Sequence, residues 1–151
     1  MAGAFDLTTP RELLAKLGRE LERLRAAPND VDHAFNFFVT AEQLPDWLHP
    51  GNQGAPRRKA IRDSEVVLQL VSHLASGAKH FDHLSEHHQT AGRSGIMHRH
   101  PNPMMRLIFK DVLAVQLAGD AVAVLGRTWI SALDLATLVH TYWTALGRIP
   151  E

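Results

Sequence analysis

Apolar residues along this chain recur first with a helical period and later with a strand period. Thr9-Pro10-Arg11-Glu12 opens the first segment: Thr9 can cap, Pro10 suits the first helical position, and Glu12 stands where it closes a capping box. Leu13, Leu14, Leu17, Leu21 and Leu24 then form one stripe, and this helix is expected to end before Pro28-Asn29. A second helix is expected from about Asp30 to Leu48. It places Val31, Ala34, Phe35, Phe38, Ala41 and Glu42 on one face and His33, Asn36, Thr40 and Trp47 on the opposite one. Pro45 should kink or end it. Residues 50–56, rich in proline and glycine, read as a loop, and a third helix is expected from Arg57 to about Ser76.

Beyond Gly77 the pattern changes. Lys79 to Pro103 is a polar stretch of histidine, glycine, serine and proline. Leu107-Ile108-Phe109 and Asp111 to Leu117 are strand-like, Ala118-Gly119-Asp120 reads as a tight turn, and Ala121 to Leu125 is expected to return antiparallel. Ser131, with Asp134 three residues on, caps a last helix whose apolar face is Leu135, Leu138, Val139, Tyr142, Trp143 and Leu146, ending at Gly147. The prediction is a mainly α fold: a bundle of three or four helices with a small antiparallel β-hairpin before the C-terminal helix, an α+β description remaining open. One domain spans 1–151, with a helical portion at 8–80, a His-rich loop at 81–105, the hairpin at 106–127 and the last helix at 130–148. An isolated hairpin is marginal. It must pack on the helices, pair with a third strand near Met105 to Phe109, or pair with a second copy, so a dimer is an expectation.

Composition narrows the function classes. Of 151 residues, 45% are hydrophobic and 21% charged, which suits one folded domain. The absence of cysteine removes disulfide and thiolate-metal frameworks and fits a reducing compartment. No signal-peptide pattern occupies Met1 to Thr9, and no apolar run reaches about 18 residues, so a cytoplasmic protein without membrane contact is expected. Sixteen basic and sixteen acidic side chains balance, without the basic excess of a dedicated nucleic-acid binder. Ten histidines would make the domain cationic near about pH 6.

Seven of those histidines lie between His73 and His100. If the helix resumes after Gly77, His80, His83 and His87 share one face, and three neutral imidazoles on one point suit zinc or another divalent metal with a position open for water. His98 and His100, alternate residues of an extended segment, could add ligands, with Asp82 and Glu86 as supporting carboxylates. The other reading is a solvated loop without a cofactor, and the sequence lacks His-Glu-x-x-His. Elsewhere, Arg57, Arg58, Lys59 and Arg62 crowd a helix start, where the macrodipole opposes them. They either pair with acidic neighbours or meet an anionic partner. Asn36, Thr40 and Trp47 either fix helix packing or line a binding site. Trp47, Trp129 and Trp143 read as core or interface anchors. Gly-x-Ser-x-Gly and phosphate-cradling glycine loops are absent.

The strings Asn36-Phe37-Phe38-Val39-Thr40-Ala41, Leu44-x-Asp46-Trp47-Leu48 and Leu74-Ala75-Ser76-Gly77-Ala78-Lys79-His80-Phe81 resemble a set of small uncharacterised bacterial proteins. Through those segments the chain also looks like a distant relative of HEPN-type helical domains, which include RNA-cleaving toxins and binding modules of bacterial conflict systems. The nuclease motif of that class is an arginine and a histidine about four to six residues apart. Here the matching region offers His73 and His80 without the arginine, while Arg93 and His98 have the spacing in what reads as a loop. The resemblance implies a small binding or regulatory module, more an interaction protein than an enzyme, with a protein partner or self-association. The alternative it implies is a metal-independent RNase. His80 would then be the general acid or base, with Lys79 or Arg93 steadying the phosphorane charge. A His-ligated metalloprotein is the third reading.

Overall fold

The computed structural model describes residues 5, 7–79, 90–99, 102–105 and 110–151. Helix α1 (Pro10–Ala26) begins as its sequence dictates: Thr9 Oγ1 accepts from the Glu12 amide at 3.2 Å, and Glu12 Oε2 accepts from the Thr9 amide at 2.9 Å. The Thr8 amide and hydroxyl, with the Thr9 amide, donate to the Glu12 carboxylate and hold its pKa below the ordinary value. Leu13, Leu17, Leu21 and Leu24 are buried along one stripe, each contributing about 2 kcal/mol to folding.

Helix α2 (Val31–Leu48) starts at Asp30, whose carboxylate accepts from the amides of Asp32 and His33. Pro45 lies inside it without ending it, and the His49 amide still reaches the Pro45 carbonyl at 3.0 Å. The expected division into one apolar and one polar face is corrected. Phe37, Thr40 and Leu44 are buried as well as Ala34, Phe38 and Ala41, because α2 packs against α1, α4 and α6 at once. At its N-terminal end Val31 and Phe35 remain about half exposed, at 59% and 49%.

The single third helix is also corrected. α3 (Ala55–Ser64) and α4 (Val66–Lys79) are separated at Glu65, whose backbone is extended. Side chains replace the helical bonds at the break: Ser64 Oγ donates to the Ile61 carbonyl and Gln69 Nε2 to the Asp63 carbonyl. The Glu65 carbonyl then accepts from the amides of Leu68 and Gln69, restarting the helix on a new axis.

Strands β1 (Ala91–Met97), β2 (Val112–Leu117) and β3 (Trp129–Ser131) form an antiparallel sheet in the order β1-β2-β3. Two expectations change here. Residues 91–97, assigned to the His-rich loop, form a strand at the end of the sheet among the described residues, and Ala121 to Leu125 is not the return strand. It belongs to a short helix, α5 (Asp120–Leu125), framed by Gly119 at φ +57° and by Gly126 in the left-handed conformation. Its Ala121 is fully buried and it lies beside α4, so tertiary contact overrides the strand propensity of valine. The return strand comes later, with Val115 opposite Ile130 and Gln116 opposite Trp129. The proposed third strand near Met105 to Phe109 involves residues 106–109, outside the described residues.

Helix α6 (Ala132–Thr144) is capped by Ser131 Oγ, which accepts from the Asp134 amide at 3.0 Å. Leu135, Ala136, Val139 and Trp143 are buried, whereas Leu138 and Leu146 are exposed and the helix stops short of Gly147. Helices α4 and α6 meet the sheet on the side that carries the buried Leu113, Val115, Leu117 and Ile130. The fold is mainly α with a small antiparallel sheet before the last helix.

The turn joining α2 to α3 is unusually tight. A Cβ built on Gly54 would stand 2.1 Å from the His49 carbonyl oxygen, a clash with backbone rather than with a movable side chain. Gly54→Ala should therefore destabilise the fold by about 2–3 kcal/mol in urea unfolding, and a loss under about 0.5 kcal/mol would show that the turn yields.

Candidate functional site

The basic start of α3 is consumed by the fold. Arg62 Nε donates to Glu42 Oε1 at 2.6 Å, and its Nη2 reaches the Glu42 carbonyl and Asp46 Oδ1. Arg58 Nη1 donates to the carbonyls of His49 and Gly51, both at 2.6 Å, while its Nε faces Asp46 at 3.2 Å. Lys59 pairs with Asp63. Arg57 is exposed without an ion pair among the described residues. Of the two readings of this cluster, internal pairing accounts for Arg58 and Arg62, and neither guanidinium is left for an anionic partner.

Glu42 is the centre of that network. Ser72 Oγ on α4 lies 3.0 and 2.9 Å from its two carboxylate oxygens, so one carboxylate joins α2, α3 and α4. Burial raises the Glu42 pKa, and the attraction of Arg62 and the Ser72 hydroxyl offset this only in part. A second network joins α1 to α2: Lys16 Nζ donates to Glu20 Oε1 at 2.9 Å and to Thr40 Oγ1 at 3.1 Å. Burial opposes ionisation of Glu20, but Lys16 and Arg23 outweigh it and the pKa falls. Thr40 thus fixes helix packing. Asn36 is exposed and makes no side-chain hydrogen bond among the described residues. Trp47 is half-buried in a cleft of about 470 Å³ with Thr8, Pro10, Asp46, Asn52 and Arg58. The structure therefore brings Trp47, Arg58 and Arg62 to one end of the bundle and leaves Asn36 and Thr40 apart from them.

Most of the histidine cluster lies outside the described residues, His80, His83, His87 and His100 included. Lys79 is the last residue of α4. Among the described residues no three His, Asp or Glu side chains are placed to hold a metal ion. Arg93 lies in β1 and His98 directly follows it, so their segment is extended and is not the loop expected.

His98 and the sheet supply features that sequence reading missed. His98 Nδ1 lies 2.9 Å from Asp111 Oδ2, tying the end of β1 to the start of β2 and fixing the imidazole orientation. Asn29 holds the same edge: its Nδ2 donates to the Asp111 carbonyl and its Oδ1 accepts from the Leu113 amide. A trough of about 510 Å³ along the sheet is lined by Ser94, Gly95, Met97, His98, Ala114, Gln116, Thr128 and Trp129, and the register puts Gly95, Met97, Ala114, Gln116 and Trp129 on the face opposite Val115 and Ile130. Gly95, at φ +153°, adopts a backbone conformation that side chains rarely allow, and a Cβ on Gly92 would stand 3.3 Å from Gln116 Oε1. Gly95 and Ala114 thus make a low floor, with Gln116 packed over Gly92 and Trp129 exposed at one margin. An apolar groove of about 280 Å³ between α2, α4 and the sheet is lined by Val31, Phe35, Phe38, Leu74 and Leu113, and it shares Ser94, Gly95 and Ala114 with the trough.

Comparison with protein-family models, curated proteins and solved structures finds no match. The residues themselves carry the functional argument. Among the described residues no helix is long and apolar enough to cross a membrane.

Two outcomes follow from the Glu42 network. A carboxyl whose folded pKa is raised favours folding while protonated and opposes it once ionised. Its contribution is therefore favourable at low pH and lost as pH rises through the raised value. Wild-type stability should fall relative to Glu42→Gln as pH rises above the ordinary value of 4.5, and a pH-independent difference in denaturation midpoints would contradict this. Arg62→Ala strands the Glu42 carboxylate and should cost roughly 2–3 kcal/mol, against less than about 0.5 kcal/mol for Arg57→Ala, by urea unfolding at neutral pH.

Proposed function

We propose that this protein is a small non-enzymatic binding module whose ligand-facing surface is the outer face of its three-stranded sheet. One observation carries the reading: helices α4 and α6 cover one side of the sheet, while the other side forms a trough with Trp129 exposed beside it. An antiparallel sheet that leaves one face to water normally carries polar side chains there. Here Gly95 and Ala114 form a low floor, with Met97 and Trp129 beside it and Ser94, His98, Gln116 and Thr128 as its polar groups. Concave surfaces with few convergent polar groups and an accessible aromatic suit ligands better than solvent.

What supports a regulatory module of the HEPN-like, conflict-system kind is the resemblance of the strings in α2 and α4. Catalysis through Lys79 and His80, and metal binding through His80, His83 and His87, lack that support from described geometry. The basic start of α3 is set aside as the docking surface, since Arg58 and Arg62 are already paired.

The reading is tested by amide and indole NMR titration with a panel of short single-stranded oligonucleotides, acidic peptides, basic peptides and mononucleotides. At least one compound should shift the Trp129 indole together with the amides of Gly92, Gly95 and Gln116. Shifts confined to the Trp47 cleft, or none on the sheet, would refute it.

A further inference from the structure

The chain is neutral as a whole, but its charge is divided. Residues 90–131, which contain the sheet, hold five lysines and arginines against two aspartates; the remainder holds eleven against fourteen. Within the sheet region Asp111 is engaged by His98. Arg99, Lys110 and Arg127 are exposed, and among the described residues none of the three has an ion-pair partner. Arg99 follows the trough residue His98 and lines an adjoining cleft with Lys110, Asp30 and Asp111, and Arg127 precedes Thr128 and Trp129, which line the trough. A cationic margin around an aromatic-edged trough is complementary to a chain of phosphates carrying flat bases.

We propose that the trough binds single-stranded nucleic acid, an inference that rests on the sheet face being the binding surface. A base stacks on the Trp129 indole, an interaction available to every base because each has a π-face. The Gly95 and Ala114 floor lets the strand approach the sheet closely, and the Gln116 amide can both donate to and accept from a base edge. Arg127 at one end and Arg99 with Lys110 at the other take successive phosphates. Duplex nucleic acid does not fit this geometry, since its bases are stacked on one another and closed to Trp129.

The experiment is fluorescence anisotropy of the full chain with labelled oligouridine and oligothymidine of about ten nucleotides, with thermal melts confirming that each variant is folded. Trp129→Ala should weaken binding by at least about tenfold, and Trp129→Phe, which keeps a stacking ring, by no more than about threefold. Combined Lys110→Glu and Arg127→Glu should weaken binding and flatten its dependence on salt. Unchanged affinity in folded Trp129→Ala, or an unchanged salt slope in the charge variant, would overturn the proposal. So would competition by uridine monophosphate as effective as that by the oligomer, which would mark a mononucleotide pocket. If other panel compounds shift the sheet resonances while neither oligonucleotide binds, this inference fails and the binding-module reading stands. If nothing perturbs the sheet, both fail.

Discussion

Helix α2 is buried on more than one side, and a carboxylate withdrawn from water on such a helix must find its partners among the neighbours. Glu42 does so by accepting from Arg62 on α3 and Ser72 on α4. Desolvating an ion costs several kcal/mol unless geometry and hydrogen bonds are good. That requirement makes the arrangement selective: moving either neighbour away leaves a charge unsatisfied, whereas an apolar contact would tolerate sliding. Lys16 does the same on the other side of α2 by bridging Glu20 and Thr40. Apolar burial by α1, α2, α4 and α6 provides most of the stabilisation, and these two networks set the register in which it is obtained.

That register positions the sheet. The C-terminal end of α1 leads to Asn29, whose amide holds the backbone at the start of β2, and α4 and α6 cover one side of the strands. The trough along the sheet is lined by Gly95, Met97, His98, Ala114, Gln116, Thr128 and Trp129 among others. A side chain at Gly95 would meet a strained backbone, so its conformation and the low floor it gives are set together. The trough is a consequence of where the helices dock, and it concentrates the cationic part of a chain that is neutral in total.

Much of the helical half could be read from the sequence because its signals are local. Thr9, Pro10 and Glu12 start a helix through atoms within four residues of each other, and Ser131 with Asp134 does likewise. The leucine stripe of α1 has one buried face and therefore one period. α2 was harder: with neighbours on several sides, its buried residues do not follow a single stripe, so Thr40 is buried although read on the polar face, and Phe37 and Leu44, assigned to neither face, are buried too. The strand of valines at 121–125 failed for a related reason, because short apolar runs suit either state until their packing is known. The candidate site was the least legible. Gln116 and Trp129 become neighbours through strand pairing, and His98 meets Asp111 across thirteen positions, distances at which residue order carries no geometric signal.

The sequence by itself determined the helix starts, the apolar stripe of α1, the mainly helical class with a small antiparallel element, and the charge each segment carries. These depend on bonds and side-chain spacing within a few residues. Tertiary structure decided that α3 and α4 separate at Glu65, that 121–125 coils while 129–131 pairs, that Arg58 and Arg62 are paired inside the fold, and on which side α4 and α6 meet the sheet. Each of those outcomes is chosen by groups distant in the chain competing for the same hydrogen bonds and the same buried space, and only the folded arrangement fixes which of them meet.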